Sequence, residues 1–429
     1  MTHQVALTVL AKIKPGETEN LRDLLGIVGA DVEKNDILPF AQLSNVHFAR
    51  LLILDEAKNV RNQSIPPSLV FASNVDVPLG DHLTELVTHA GEGLDRIYSH
   101  CEGYPGATQR TPSSRLNYLR AHMVPSQAFY VNTIGRTVEQ IHQEAQLRDA
   151  LEGFLDRQQA EHDWSGWDAR RVRAAIQDFI KGQPDLLWAE RPAAGLTFGW
   201  RLKERIRFFL TLLVLLVLTP AFLLVLPIWL ILLRYHEKKD TAKEGHLRLS
   251  SQTRGTLALH EDRLVQNQFS AVGNVKPGWF RALTVRGLLW ALNFSFRHIF
   301  NRGILAGVDT IHFAQWIMID KGQRILFLSN YDGSLESYMD DFINKVAWGL
   351  NAVFSNGVGY PKTNWLVLEG ANDEQAFKAF LQKHQIPTQA WYTAYGWLTA
   401  RNIDNNTRLR AGLYGEKEEQ DAAMWLQRL

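Results

Sequence analysis

Cysteine is almost missing from this chain: Cys101 stands alone among 429 residues. That excludes an intramolecular disulfide framework and a cysteine-based zinc cluster, and it suits a reducing compartment. Set in Ser99-His100-Cys101-Glu102, it reads as a small buried apolar residue. Net charge is nearly missing too. A formal +1, from 46 Lys+Arg against 45 Asp+Glu, gives no bulk attraction for nucleic acid, so none is expected as a partner. The start, Met1-Thr2-His3-Gln4 followed by alternation up to Ile13, lacks the basic residues and continuous apolar stretch of a signal peptide, so export by that route is not expected. Catalytic strings are missing as well: the sequence holds no Gly-rich phosphate loop, Gly-x-Ser-x-Gly elbow, HExxH or paired CxxC. No metal site is expected.

What the chain does have is a duplication. Residues 118–151 match 380–413 without a gap at an offset of 262, pairing Leu119/Leu381, His122/His384, Pro125/Pro387, Tyr130/Tyr392, Thr137/Thr399 and Arg148/Arg410. Upstream, 69–105 match 325–361 at an offset of 256, sharing Ser73/Ser329, Asn74/Asn330, Asp76/Asp332 and Gly103-Tyr104-Pro105 against Gly359-Tyr360-Pro361. His47-Phe48-Ala49 answers His312-Phe313-Ala314, and Lys14-Pro15-Gly16 answers Lys276-Pro277-Gly278. Two homologous domains therefore flank an insertion.

Within copy one, alternation and helical spacing predict strands at Val5–Ile13, Val46–Leu54, Ser68–Ser73 and Ala128–Asn132, with helices at Gly16–Gly29 and Leu79–Tyr98. Copy two predicts the same order at Leu264–Val275, Trp279–Phe300, Ile311–Ile319, Arg324–Ser329, Leu335–Phe354 and Ala390–Thr393. β-α-β-β-α-β is the ferredoxin-like pattern, whose sheet leaves one face in need of cover. The expected fold is α+β: two ferredoxin-like repeats (1–136 and 264–400) closing on each other as an intramolecular pseudo-dimeric barrel. A helical linker (137–205), a hydrophobic membrane segment (206–234) and a polar linker (235–263) separate them, and a helical tail (401–429) follows.

Phe208–Leu233 is a run of 26 residues whose least apolar members are Thr211, Thr219, Pro220 and Pro227. As one helix it would reach about 39 Å, against a bilayer core of about 30 Å. Phe208, Leu216, Pro220, Pro227, Trp229 and Leu233 are expected in lipid. Basic residues flank the run on both sides: Arg201, Lys203, Arg205 and Arg207 before, and Arg234, Lys238, Lys239 and Lys243 after. Positive charge marks the cytoplasmic side. Repeats that pack together must share that side, which favours a re-entrant hairpin turning at Thr219-Pro220 over a single span. The helix at Trp279–Phe300 bears Trp279, Arg281, Arg286, Trp290 and Arg297 and no acid. It is either lipid-facing or packed on its own sheet.

The polar residues that recur have ordinary readings. Asn74/Asn330 and Asp76/Asp332 suit turns and helix caps, His47/His312 suit core histidines, and His122/His384 suit the loop before the last strand. Copy two adds His260, Gln266, Asn267 and Gln268. If Gln266 and Gln268 point inward, a ligand could satisfy their amides, and if outward they are solvated.

The phrases His312-Phe313-Ala314, Leu328–Ser334, Val265–Gln268 and Lys276-Pro277-Gly278 resemble a group of bacterial membrane-associated proteins without an established activity. The paired domains are similar at fold level to dye-decolourising peroxidases and chlorite dismutase-like proteins, which bind haem. Those peroxidases carry Gly-x-x-Asp-Gly, and Ser329-Asn330-Tyr331-Asp332-Gly333 departs from it by a Ser for the first Gly. The resemblance implies Asp332 as distal acid, His384 or His312 as axial ligand, and Arg401 or Arg408 as charge partner. Two functions are therefore expected to compete. One is a membrane-anchored barrel on the cytoplasmic face of the inner membrane that binds an apolar or lipid-derived ligand or docks a partner enzyme. The other is a haem peroxidase.

Overall fold

A computed structural model of the chain describes residues 3–161, 166–240 and 263–429. Copy one runs β1 (Gln4–Lys12), α1 (Thr18–Ala30), β2 (Val46–Leu54), β3 (Ser68–Asp76), α2 (Leu79–Tyr98), α3 (Pro112–Ala121) and β4 (Ala128–Val131). The insertion gives α4 (Val138–Glu161), α5 (Ala169–Lys181) and α6 (Phe198–Lys239). Copy two runs β5 (Gln266–Asn274), α7 (Trp279–His298), β6 (Ile311–Ile319), β7 (Arg324–Asp332), α8 (Leu335–Phe354), α9 (Glu374–His384) and β8 (Thr388–Thr393), and α10 (Ala400–Ala411) and α11 (Glu419–Leu426) follow. The predicted elements all occur. The helices α3 and α9 were not predicted. His384 ends α9 and His122 caps the C-terminus of α3, so neither lies in a loop before the last strand.

The two large sheets are antiparallel, four-stranded and built to one plan with one exchange. Sheet one runs β1-β3-β2-β8 and sheet two β5-β7-β6-β4. Each copy gives its last strand to the other's sheet. The helix α1 of copy one lies so close on the borrowed strand β8 that a Cβ on Gly29 would sit 2.0 Å from the Gln389 carbonyl oxygen. Between the sheets, Leu52, Leu54, Val70 and Ala72 share one apolar cluster with Ile317, Ile319, Leu326 and Leu328. Full burial of such side chains stabilises by about 2 kcal/mol each. On the outer faces α1 and α2 cover sheet one and α7 and α8 cover sheet two. Leu147, Leu151, Ile176, Leu409, Leu413 and Trp425 form a separate helical layer.

The duplication is also visible in side-chain detail. Lys14 donates to the Ser99 carbonyl at 2.7 Å and Lys276 to the Ser355 carbonyl at 2.8 Å, each closing the end of a long helix. Tyr104 of one Gly-Tyr-Pro triplet donates to Asp95 and Tyr360 of the other to Asn351.

The apolar run is one helix. α6 holds 42 residues, long and apolar enough to cross a membrane, with Pro220 and Pro227 inside it. The turn expected at Thr219-Pro220 is not formed. Pro220 removes one amide, but the Thr219 hydroxyl donates to the Leu215 carbonyl at 2.8 Å one turn back, and the remaining ladder carries the helix through. Both ends of α6 meet copy two. Glu204 accepts from Arg297 at 3.1 Å and Phe208 stacks on Phe294. At the other end, Trp229 donates to Thr284 at 3.3 Å, and Leu233 packs with Phe280 and Leu366. Between these ends Leu213, Leu216, Val217, Phe222, Leu224 and Ile228 are exposed.

Candidate functional site

The recurring polar residues converge at one end of the paired sheets. His47 and His312 occupy corresponding places on β2 and β6, and each turns its Nε2 to the carboxylate that ends the neighbouring strand. His47 lies 3.0 Å from Asp76 Oδ1 and His312 lies 2.7 Å from Asp332 Oδ1. The second oxygen of each carboxylate accepts the first amide of a helix: Val138 N to Asp76 at 2.9 Å, Ala400 N to Asp332 at 2.8 Å. Asp76 and Asp332 were read as capping residues for the helix that follows each strand. They hold instead the N-termini of α4 and α10, far along the chain, where the helix dipole favours negative charge.

Tyr395 breaks the symmetry between the pairs. Its hydroxyl lies 2.8 Å from His47 Nδ1, and its ring is 6.1 Å from that of His312. Burial and the nearby Asp76 charge push its phenol well above the ordinary range. At the matching place in copy one stands Thr133. Among the described residues the His312 imidazole has one hydrogen-bond partner, Asp332. A cavity of 20 Å³ lined by His47, Asn132, Arg136, His312 and Tyr395 separates the pairs, room for about one water. The arrangement supplies buried imidazoles held by carboxylates and, among the described residues, hydrogen-bonds no serine or cysteine to them.

Gln266, Asn267, Gln268 and Asn330 are buried. Gln266 donates to the Tyr395 and Leu398 carbonyls and accepts from Thr393. Asn267 donates to the Gly333 carbonyl. Gln268 accepts from Ser270, Thr388 and Arg50. Gln266 and Gln268 do point inward, and protein groups rather than a ligand hold their amides. The residue that organises them is Arg50, which was not singled out in the sequence. From β2 its guanidinium crosses to sheet two and donates to Gln268, Ser270 and Asn330 and to the Phe269 and Ser329 carbonyls. Burial pushes it down to about 9. Its counterpart in copy two is Gln315, so repetition gave no signal for it.

The remaining candidates do not join this centre. His384 sits at the opposite end of β5, against Gly273, with Nδ1 2.8 Å from the Phe380 carbonyl. Arg401 makes a two-point ion pair with Asp309 at the surface, and Arg408 pairs with Asp404. His260 lies outside the described residues. These positions do not fit haem. Asp332 and His384 lie at opposite strand ends, both arginines are engaged elsewhere, and the cavity beside His384 measures 40 Å³. Burial pushes the Cys101 thiol up to about 12, as expected of a packed residue. No cluster of three potential metal-binding side chains occurs among the described residues.

Of the residues expected in lipid, Leu216 is 70% exposed and Phe208 and Trp229 are partly buried, whereas Leu233 is fully buried against Phe280 and Leu366 and so faces protein. Trp279 and Trp290 are exposed on α7. The chain matches no protein-family model, and neither the curated proteins nor the solved structures include a match.

Proposed function

We propose that this protein is a membrane-anchored docking and binding module on the cytoplasmic face of the inner membrane. Its body is read as two ferredoxin-like repeats closed into an intramolecular pseudo-dimeric barrel. The single observation that carries the membrane reading is α6, whose middle is apolar on every side and exposed although both its ends are tied to the body. Exposed apolar surface on that scale calls for lipid or a partner. The common strand order of the sheets and their shared interior support the barrel.

That interior is filled by apolar side chains and the Arg50 network, so it is not where a ligand would enter. Apolar space lies on the outer face of sheet two, in adjoining cavities of 40 and 30 Å³ between the sheet and α8 and α9, bordered by Trp316, Phe327, Phe354 and Leu381.

Extraction of cell membranes tests the reading. The full chain is expected to resist alkaline carbonate and to leave in detergent with lipid bound, whereas a chain lacking 208–233 is expected in the soluble fraction. A full chain that is soluble without detergent would end the proposal. The peroxidase alternative gains nothing from the geometry, and a colourless protein that takes up no added haemin is its expected outcome.

A further inference from the structure

α7 packs on sheet two and on α6, and along its first three turns a further stripe is exposed. At 100° per residue, Val285, Leu289 and Phe296 point to sheet two and are buried. Phe280, Thr284, Phe294 and His298 meet α6 through Trp229 and Phe208. The third direction gathers Trp279, Leu283, Arg286 and Trp290 within about 60° of one another. Trp279 is 70% exposed, Leu283 61% and Trp290 52%, and Arg286 has no acidic partner among the described residues. α7 contains no Asp or Glu at all. This stripe lies beside the exposed length of α6, whose two ends bring exposed Arg201, Lys203 and Arg205 on one side and Lys238 and Lys239 on the other.

We propose that α7 and α6 together form a seat for anionic phospholipid headgroups, in which α6 lies along the bilayer surface with both of its ends on the same side. The inference rests on the membrane reading above. Its first support is mechanical. Phe208 stacks on Phe294 and Trp229 donates to Thr284, so both halves of α6 touch the same helix of the body, while the apolar residues between these contacts are exposed. A crossing helix would carry one end and its contacts with copy two through the bilayer.

The second support is chemical. Tryptophan favours the headgroup level, and basic residues mark one side of a membrane at both ends of α6 alike. Arg286 between Trp279 and Leu283 on one side and Trp290 on the other matches a surface of phosphates over an apolar layer. Each basic residue near an anionic leaflet strengthens attachment about fivefold.

Single cysteines placed in the full chain carrying Cys101→Ser test this in two arms. With Trp290→Cys bearing an environment-sensitive fluorophore, vesicles containing phosphatidylglycerol are expected to shift emission to the blue, and phosphatidylcholine vesicles to shift it less. Arg286→Gln should cut the difference between the two vesicles about fivefold. With Arg201→Cys and Lys239→Cys in separate chains, a membrane-impermeant maleimide is expected to reach both from the same side of sealed vesicles. Protein retained by vesicles with a water-exposed label at residue 290, or with 201 and 239 reached from opposite sides, would overturn the seat and leave the anchor standing. Protein not retained at all would overturn both.

Discussion

His312 Nε2 lies 2.7 Å from Asp332 Oδ1, while the other oxygen of the same carboxylate accepts the Ala400 amide at 2.8 Å. One side chain thus joins strand β6 to the start of α10, and Asp76 does the same for β2 and α4 with His47 and Val138. Removing the carboxylate leaves a buried imidazole and a helix amide without acceptors. Asp332→Ala is expected to lower unfolding stability by about 2–3 kcal/mol in denaturant titrations. Asp76→Ala should cost at least as much, because Asp76 also accepts from Gln4 at 3.0 Å. An Asp332→Ala chain as stable as the parent would show that the pair holds nothing.

His82 is fully buried on α2, with Nδ1 3.0 Å from Asn45 Oδ1 and Nε2 3.4 Å from Ser73 Oγ. Burial lowers its pKa from 6.5 to about 4. The unfolded chain takes up a proton below 6.5 and the folded chain only near 4. This contribution to stability is present above 6.5 and is lost as pH falls from 6.5 towards 4. Between pH 7 and about pH 5 it amounts to about 2 kcal/mol. His82→Gln is expected to lose stability less steeply over that interval, read by urea unfolding at both pH values. Parallel profiles for parent and variant would refute the assignment.

The sequence made the elements legible where one face of a segment decides its fate. Val46–Leu54, Leu79–Tyr98, Ile311–Ile319 and Leu335–Phe354 occur with the predicted ends, because alternation or helical spacing reports a buried face directly. α3 escaped because it buries little, chiefly Tyr118 and Leu119. The exchange of β4 and β8 escaped for another reason: strand partners are chosen by tertiary contact, and either strand's own pattern suits both sheets. At the site, duplication flagged His47/His312 and Asp76/Asp332 but not their pairing, since 29 and 20 residues separate the partners. Tyr395 and Arg50 carried no signal, because Thr133 and Gln315 stand in their places.

Arg50 crosses between the sheets with no carboxylate partner among the described residues. Its side-chain acceptors do not depend on it: Gln268 Oε1 also accepts from Ser270 and Thr388, and Asn330 Oδ1 also accepts from Trp391. An apolar chain of similar length therefore removes an uncompensated buried charge and leaves those acceptors with donors. Arg50→Met is expected to change unfolding stability by no more than about 1 kcal/mol, in either direction. Arg50→Ala leaves the same side-chain acceptors with donors but also opens a cavity, and should cost about 2–4 kcal/mol. If both variants lose stability equally, the guanidinium itself holds the sheets together.

Glu237 fastens the far end of α6 to the body. It is 3% exposed and accepts the Leu366 amide at 2.7 Å, the Trp365 amide at 3.1 Å and the Thr363 hydroxyl at 3.2 Å, with Arg234 at 2.6 Å as counterion. Trp365 and Leu366 both have positive φ, at 55° and 69°, a region costly for side chains of their size. The carboxylate therefore both docks the helix and stabilises a loop that would otherwise relax. Glu237→Gln keeps one acceptor but introduces an amide donor among donors, and Glu237→Ala removes every acceptor. Amide hydrogen exchange at residues 365 and 366 is expected to accelerate in both variants, by about tenfold to a hundredfold in Glu237→Ala, corresponding to a local loss of about 1–3 kcal/mol. Exchange at Leu326 and Leu328, in the shared interior, should stay as in the parent. Acceleration in the interior to the same degree would mean that this contact supports the whole fold and not the α6 attachment alone.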